Sequence, residues 1–265
     1  MAVQNSIARL VIKNWAPTIA ALILSLSVLA QCAIAQVPEN RIEDWNARLE
    51  KAQETFDDGE LSRLIDEILP LANQATTQFE VQYLLSKVYL DRCDLRRFKR
   101  KTYDVDRKEN KILRNQQEEL SQRGMVFADR AVALRPNSSE AHRVKGELWI
   151  HQITGPISGI RFGPKGKESI EKAIELDPRN LEARRALGLM YLYNPPFNGG
   201  DKDKAAETFD ELSQAGAGDR CYVLAARAYL EKDEPQKAAI RLKKALELNP
   251  ANIEAKQLLE DIGKN

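Results

Sequence analysis

His142 and His151 are the only imidazoles in 265 residues, so proton transfer near neutral pH would fall to one of them. Neither is accompanied by a nucleophile elbow, a paired cysteine or a His-x-x-x-His spacing. Each therefore reads as a surface or loop-anchoring histidine. The run Gly163-Pro-Lys-Gly-Lys167 has the composition of a phosphate cradle. It lacks the G-x-x-x-x-G-K-[ST] spacing, and no strand precedes it. Acidic residues lie along helical faces, and nothing marks a catalytic pair. With two histidines and three cysteines, a His- or Cys-rich metal site is disfavoured. The sequence thus points to no metal, no cofactor and no enzyme. Its 40 Lys+Arg against 39 Asp+Glu also argue against a nucleic-acid partner.

The elements that would position a site begin after a leader. Arg9 and Lys13 are the only charges before Glu39, Ile19 to Ala30 is an apolar run, and Ala33-Ile-Ala35-Gln36 has a small-x-small end. This is the pattern of a secretory signal. Cleavage is expected after Ala35, leaving residues 36–265 as the folded domain in the periplasm or secreted. Cys32 follows Leu29-Ala-Gln31 in a lipobox-like setting, but Gln31 is not small. Membrane association is expected only if the leader is retained or Cys32 is lipidated. Cys93 and Cys221 fall about three repeats apart in the register below, too far for a disulfide, and read as small core residues.

Three segments end alike: Ala131-Val-Ala-Leu-Arg-Pro136, Ala173-Ile-Glu-Leu-Asp-Pro178 and Ala245-Leu-Glu-Leu-Asn-Pro250. Each is the end of an apolar-periodic helix, stopped by a proline. Tyr222, Ala225, Ala226 and Tyr229, then Ala238, Leu242, Ala245 and Pro250, form a complete unit of helix pairs. Leu187-Gly188 with Tyr191, Gly146 with Trp149, and Leu85-Ser86 with Tyr89 begin earlier units, and a degenerate first unit spans Ile42 to Ala75 with Trp45 and Phe56. This pattern resembles the tetratricopeptide repeat (TPR), in which small residues let two helices approach and large ones fill between pairs. The resemblance implies an all-α TPR-like solenoid of about five helical hairpins with a cap helix over Ile253 to Ile262.

Three insertions interrupt the repeats between the two helices of a hairpin: about 26 residues within 90–123, about eight within 151–166 and about five within 193–204. Shared placement puts all three along one edge. The second contains Gly155-Pro156 and Gly163-Pro164. It is expected to interrupt regular helix, with Ile157, Ile160 and Phe162 folding back onto the scaffold. The third, Tyr193-Asn-Pro-Pro-Phe197-Asn-Gly-Gly-Asp201, is expected to form an extended turn with Asp201 as the N-cap of the next helix. The two should touch. Trp149, Tyr191 and Tyr193 would floor a pocket, with Phe162, Ile160 and Phe197 as walls and Arg161 facing an anion. Arg96, Arg97, Lys99, Arg100 and Lys101 in the first insertion would form a docking patch.

The Pro-Pro-x-x-Gly-Gly-Asp turn is similar to one in exported bacterial TPR proteins. A remoter, architectural resemblance is to the T-component of TRAP transporter systems, which implies a transport-accessory role. Two functions are expected: an exported, non-enzymatic scaffold binding a protein or peptide on its concave face and elaborated edge, or an accessory holding a small, partly apolar solute.

Overall fold

The computed structural model describes residues 36–75, 78–102 and 105–264, with the side chains of 101 and 102 excepted. The leader expected over 1–35, with Cys32, lies outside these residues. Among them the chain forms eleven α-helices and one 3-10 turn. In order these are α1 (Glu39–Thr55), α2 (Asp58–Gln74), α3 (Phe79–Thr102), α4 (Arg107–Leu134), α5 (Ser139–His151), α6 (Pro156–Leu176), α7 (Leu181–Tyr193), the 3-10 turn (Pro196–Asn198), α8 (Lys202–Gln214), α9 (Asp219–Leu230), α10 (Pro235–Leu248) and α11 (Ile253–Lys264). Helices α1 to α10 pair into five successive hairpins and α11 closes the array, as the repeat pattern implied.

Local sequence sets the helix ends. The side chains of Asp57, Asp106, Ser138, Asn180 and Asp201 each accept a hydrogen bond from the backbone N–H three residues on. Such caps stabilise by about 1 kcal/mol each. The three Ala-x-x-x-x-Pro endings stop alike: the amides of Arg135, Asp177 and Asn249 donate to Ala131, Ala173 and Ala245 at 2.9, 3.0 and 2.8 Å. Packing within a hairpin depends on small residues. A Cβ at Gly146 would sit 2.7 Å from the Ile170 side chain, and one at Gly188 would sit 2.9 Å from the Phe209 ring. Helix pairs at this distance accept no larger residue without moving.

The core is divided along the array. Trp45, Leu64, Leu85, Tyr89 and Phe127 belong to one cluster over the first two hairpins. Phe209, Leu224, Tyr229 and Leu242 belong to another over the last two. Leu90, Cys93, Val144 and Leu148 form a smaller cluster. Cys93 and Cys221 are both buried, in separate clusters.

The insertions differ from expectation in one respect. Residues 156–176 form a continuous helix, Pro164 included. Pro156 starts it, where the missing N–H has no intrahelical use. Ser158 Oγ accepts from the amides of Thr154 and Gly155, both at 2.9 Å, securing the first turn. Gly159, Gly163 and Gly166 share its buried face. Pro164 lies on the exposed face, where water replaces the carbonyl partner it removes. The glycines and prolines are therefore sorted onto opposite faces of one helix. The first insertion is likewise absorbed as extra helix, giving α3 and α4 their 24 and 28 residues.

Candidate functional site

The first helix of every hairpin turns one face inward, and together with α11 they bound a cavity of about 1080 Å³. Helical spacing explains the lining. Lys87, Asp91, Asp94 and Arg97 on α3 recur every three to four residues, as do Glu140, Arg143 and Glu147 on α5 and Arg220, Leu224 and Arg227 on α9. Helices α3, α5, α7 and α9 each contribute acids and bases together, so the middle of the groove carries alternating charge, while α1 adds no charge and α11 adds Glu254. Phe56 and Phe98 stack at 5.1 Å at one end. Leu189, Tyr193 and Val223 supply apolar surface further along.

Ion pairs hold this lining in place. Arg143 is buried at 7% exposure. Its guanidinium donates to Glu147 at 2.6 Å and to Glu140 at 2.9 Å. Glu140 also accepts from Asn180, the cap of α7, at 2.7 Å and from the Tyr83 hydroxyl of α3 at 3.2 Å. Burial disfavours the charged arginine, but the two glutamates outweigh it and its pKa is raised. At the far end Arg227 donates to Glu254 of α11 at 2.6 Å. Asp219 accepts from Asn249 at 2.9 Å and Asn252 at 2.8 Å.

Two carboxylates on α3 have opposed environments. His151 is 2% exposed and lies 3.2 Å from Asp94. Burial raises the Asp94 carboxyl, but His151, Arg97 and Arg185 outweigh it and leave the pKa below the ordinary range. Asp91 accepts only a neutral hydrogen bond there, from Gln53 at 2.7 Å. Burial, with Asp94 nearby, pushes Asp91 up to about 7. Between the ordinary aspartate value of about 3.9 and this raised value, the folded state binds more protons than the unfolded state. Stability from this group is therefore present at low pH and lost as pH rises through about 7. Asp91→Asn keeps an acceptor for Gln53 and removes the charge. It is expected to raise unfolding stability by up to about 4 kcal/mol above pH of about 7, and by almost nothing below pH of about 3.9. Urea unfolding at the two pH extremes checks this.

The edge insertions stack in order. Arg114 of α4 donates to the Thr154 carbonyl at 3.1 Å, and Gln117 donates to the His151 carbonyl at 3.0 Å. The second and third touch, since Asn198 lies 3.0 Å from where a Cβ of Gly163 would be. Asp201 caps α8, accepting from the Lys204 amide at 3.1 Å. The turn before it is tight: a Cβ on Gly200 would lie 1.8 Å from the Asn194 carbonyl oxygen. Gly200→Ala is expected to cost about 2 kcal/mol and to increase proteolytic cleavage near Pro195, measured by denaturant unfolding and limited digestion.

The sequence-predicted residues occupy several surroundings. Trp149 and Phe162 stack at 5.3 Å, with Lys165 Nζ 4.6 Å from the Trp149 ring centroid. The Arg161 guanidinium lies 5.0 Å from the Phe162 ring. Tyr191 stands between Lys167 and Lys204, at 6.0 and 5.7 Å. Tyr193 alone of these lines the concave groove, and Phe197 projects from the 3-10 turn at 81% exposure. Ile157 and Ile160, expected to fold inward, are 85% and 65% exposed. The glycine face of α6 takes the inward position: Gly166 would place a Cβ 3.1 Å from the Gly146 carbonyl of α5, and Gly163 would place one 3.0 Å from Asn198 of the 3-10 turn.

In the expected docking patch, Arg96 turns inward at 7% exposure and makes a two-pronged pair with Asp58, both bonds 2.9 Å. Arg100 donates to Gln117 at 2.9 Å and to Asn110 at 3.2 Å. Both tie α3 to its neighbours; Arg96 is buried and is not a surface cation, while Arg100 stays half-exposed. Arg97 and Lys99 are half-exposed, and the Lys101 side chain lies outside the described residues. His142 bonds the Pro136 carbonyl at 2.9 Å, away from the groove lining. Of the lining, sequence reasoning named only Tyr193 and Arg97 as site residues and missed the rest. Its signal is the Glu140, Arg143, Glu147 spacing beside the small position Gly146.

No family model matches this sequence, and no curated protein resembles it significantly. Solved structures do. TTC0263, a thermophilic TPR protein in Thermus thermophilus, superposes with a TM-score of 0.58 at 15% identity, over 83% of this chain and all of that one. The chain has the tetratricopeptide-repeat fold. MamA from Desulfovibrio magneticus RS-1, from its residue 41 to its end, gives 0.51 at 15% identity, over 82% of this chain and 99% of its own. The TPR array here departs from a plain one in its long α3–α4 hairpin and in the stacked insertions at the hairpin tips.

Proposed function

We propose that this TPR solenoid is an exported, non-enzymatic scaffold that holds an extended polypeptide in its concave groove. The observation that carries the reading is the groove itself, lined without a break from α1 to α11. Its volume of about 1080 Å³ lies at the upper end of the range of about 300–1,000 Å³ typical of small-molecule sites, and its run from α1 to α11 suits a longer ligand. Alternating acids and bases suit a ligand that carries both signs, and Tyr193, Leu189 and the Phe56–Phe98 stack suit an apolar anchor. The leader pattern over residues 1–35 supports export. The lack of any nucleophile–base arrangement in the sequence supports a binding role. The alternative, an accessory holding a small solute, called for a pocket floored by Trp149, Tyr191 and Tyr193. Trp149 is instead covered by Phe162 and Lys165, and the geometry favours the polypeptide.

The test is selection of displayed random peptides on the full chain, followed by calorimetry with the best binder. Lys87→Glu and Arg220→Glu change groove charges that no core packing requires. Each is expected to weaken binding about tenfold, while Phe197→Ser leaves it unchanged. A selected peptide indifferent to both groove changes would remove the groove from the reading.

A further inference from the structure

Helix α6 has its faces exchanged. Gly159, Gly163 and Gly166 recur at helical spacing on its buried face. Ile157, Ile160, Arg161, Pro164 and Lys165 recur on the opposite, exposed face. A helix of a water-soluble array normally turns its isoleucines inward. Here Ile157 is 85% and Ile160 65% exposed, and the neighbouring turn adds Phe197 at 81%. Asn198 packs against Gly163, so Phe197 stands at the same hairpin tip. The charge at this tip is also one-sided. Residues 156–167 hold Arg161, Lys165 and Lys167 and no acid, and residues 193–200 hold no charge, in a chain whose total is close to neutral. The α5–α6 tip is joined to the α3–α4 hairpin by Arg114, so it is a braced projection.

We infer that the tip formed by Ile157, Ile160, Phe197, Arg161 and Lys165 docks on an anionic lipid surface. Apolar side chains on a convex projection, flanked by cations, need no complementary socket. They enter the headgroup boundary while the cations meet lipid phosphates. A protein partner would have to supply a cavity for three separate knobs. This goes beyond the groove reading and does not depend on it: membrane docking would place the scaffold, and the groove would hold its ligand.

The test uses residues 36–265, the folded domain without the apolar leader that would itself bind vesicles, carrying Ile157→Cys and labelled with an environment-sensitive fluorophore; Cys93 and Cys221 are buried and escape the label. A second chain is labelled at Ile240→Cys on α10, an exposed position away from the tip. Vesicles of phosphatidylcholine, with and without phosphatidylglycerol, are added. Emission at 157 is expected to shift to shorter wavelength with the anionic vesicles only, and emission at 240 to stay unchanged. Arg161→Glu with Lys165→Glu should weaken the partition about fivefold for each cation removed. Because label 157 removes one apolar group, flotation of the unlabelled chain against Ile160→Ser with Phe197→Ser gives an independent reading, with an expected loss above about tenfold. Circular dichroism confirms that each variant folds. No shift at 157, an equal shift on neutral vesicles, or a shift produced by raising protein concentration without vesicles would overturn the inference, the last assigning the tip to a second copy of the chain. Lys87→Glu in the groove should leave the shift intact, so the two readings fail separately.

Discussion

Arg143→Ala is expected to destabilise the array by about 4 kcal/mol and to lower its melting temperature by roughly 10 °C. The guanidinium is nearly inaccessible to water and neutralises two carboxylates at 2.6 and 2.9 Å. Its removal leaves Glu147, only 13% exposed, without its hydrogen-bonded counter-charge and with only the field of Arg185 to offset it, and a buried carboxylate that loses its bonded partner costs more than the bond itself. The damage crosses hairpins, because Glu140 also receives Tyr83 of α3 and the capping Asn180 of α7. A variant that adds Glu140→Gln and Glu147→Gln to Arg143→Met removes the network as a unit and is expected to regain more than half of the loss. Thermal and urea unfolding of the single and triple variants decide the matter. A loss below about 1 kcal/mol for Arg143→Ala would mean that groove water solvates both glutamates.

Trp45→Ala is expected to cost about 4 kcal/mol, in the range for large aromatic truncations, and to act on one end of the molecule. Trp45 is 1% exposed within the cluster of the first two hairpins. Its Nε1 donates to Glu67 of α2 at 3.3 Å, and Arg41 lies 5.0 Å from its ring centroid. Phe or Tyr there would fill part of the space and lose less. Since hairpins in a solenoid contact chiefly their neighbours, the terminal pair α1–α2 should open before the rest. Hydrogen exchange is the appropriate measurement: protection should fall across residues 39–74 while α8 to α10 keep theirs. Uniform loss along the chain would show that the array unfolds as one unit.

The repeat was legible because close packing imposes residue size at fixed intervals. Gly146, Gly188 and the Ala-x-x-x-x-Pro endings mark where helices touch and stop, and the structure places them there. The degenerate first unit was read over Ile42 to Ala75 with Trp45 and Phe56; Trp45 is buried in its core, while Phe56 lies exposed at the groove end. The N-cap of α8 at Asp201 was readable for a local reason. The groove lining was less so. Arg143 and Glu147 look like an ordinary solvated pair on a helix until five hairpins are curved around them.

The amino-acid sequence by itself determined the all-α class, the helix ends before Pro136, Pro178 and Pro250, the start of α8 at Asp201 and the places of the insertions. These follow from local periodicity, capping and steric size; the hairpin count came with the resemblance to the TPR pattern. Tertiary structure decided which face of each element meets what. It turned Arg96 inward, because Asp58 of the preceding hairpin lies within a bidentate reach of 2.9 Å. It kept residues 156–176 helical, because Gly166 packs against α5 and Gly163 against Asn198 while Pro164 faces water. By the same choice it left Ile157 and Ile160 outside. Composition predicts that isoleucines go in and that glycines break helices. Close approach of two backbones, known only once the hairpin has closed, reverses both.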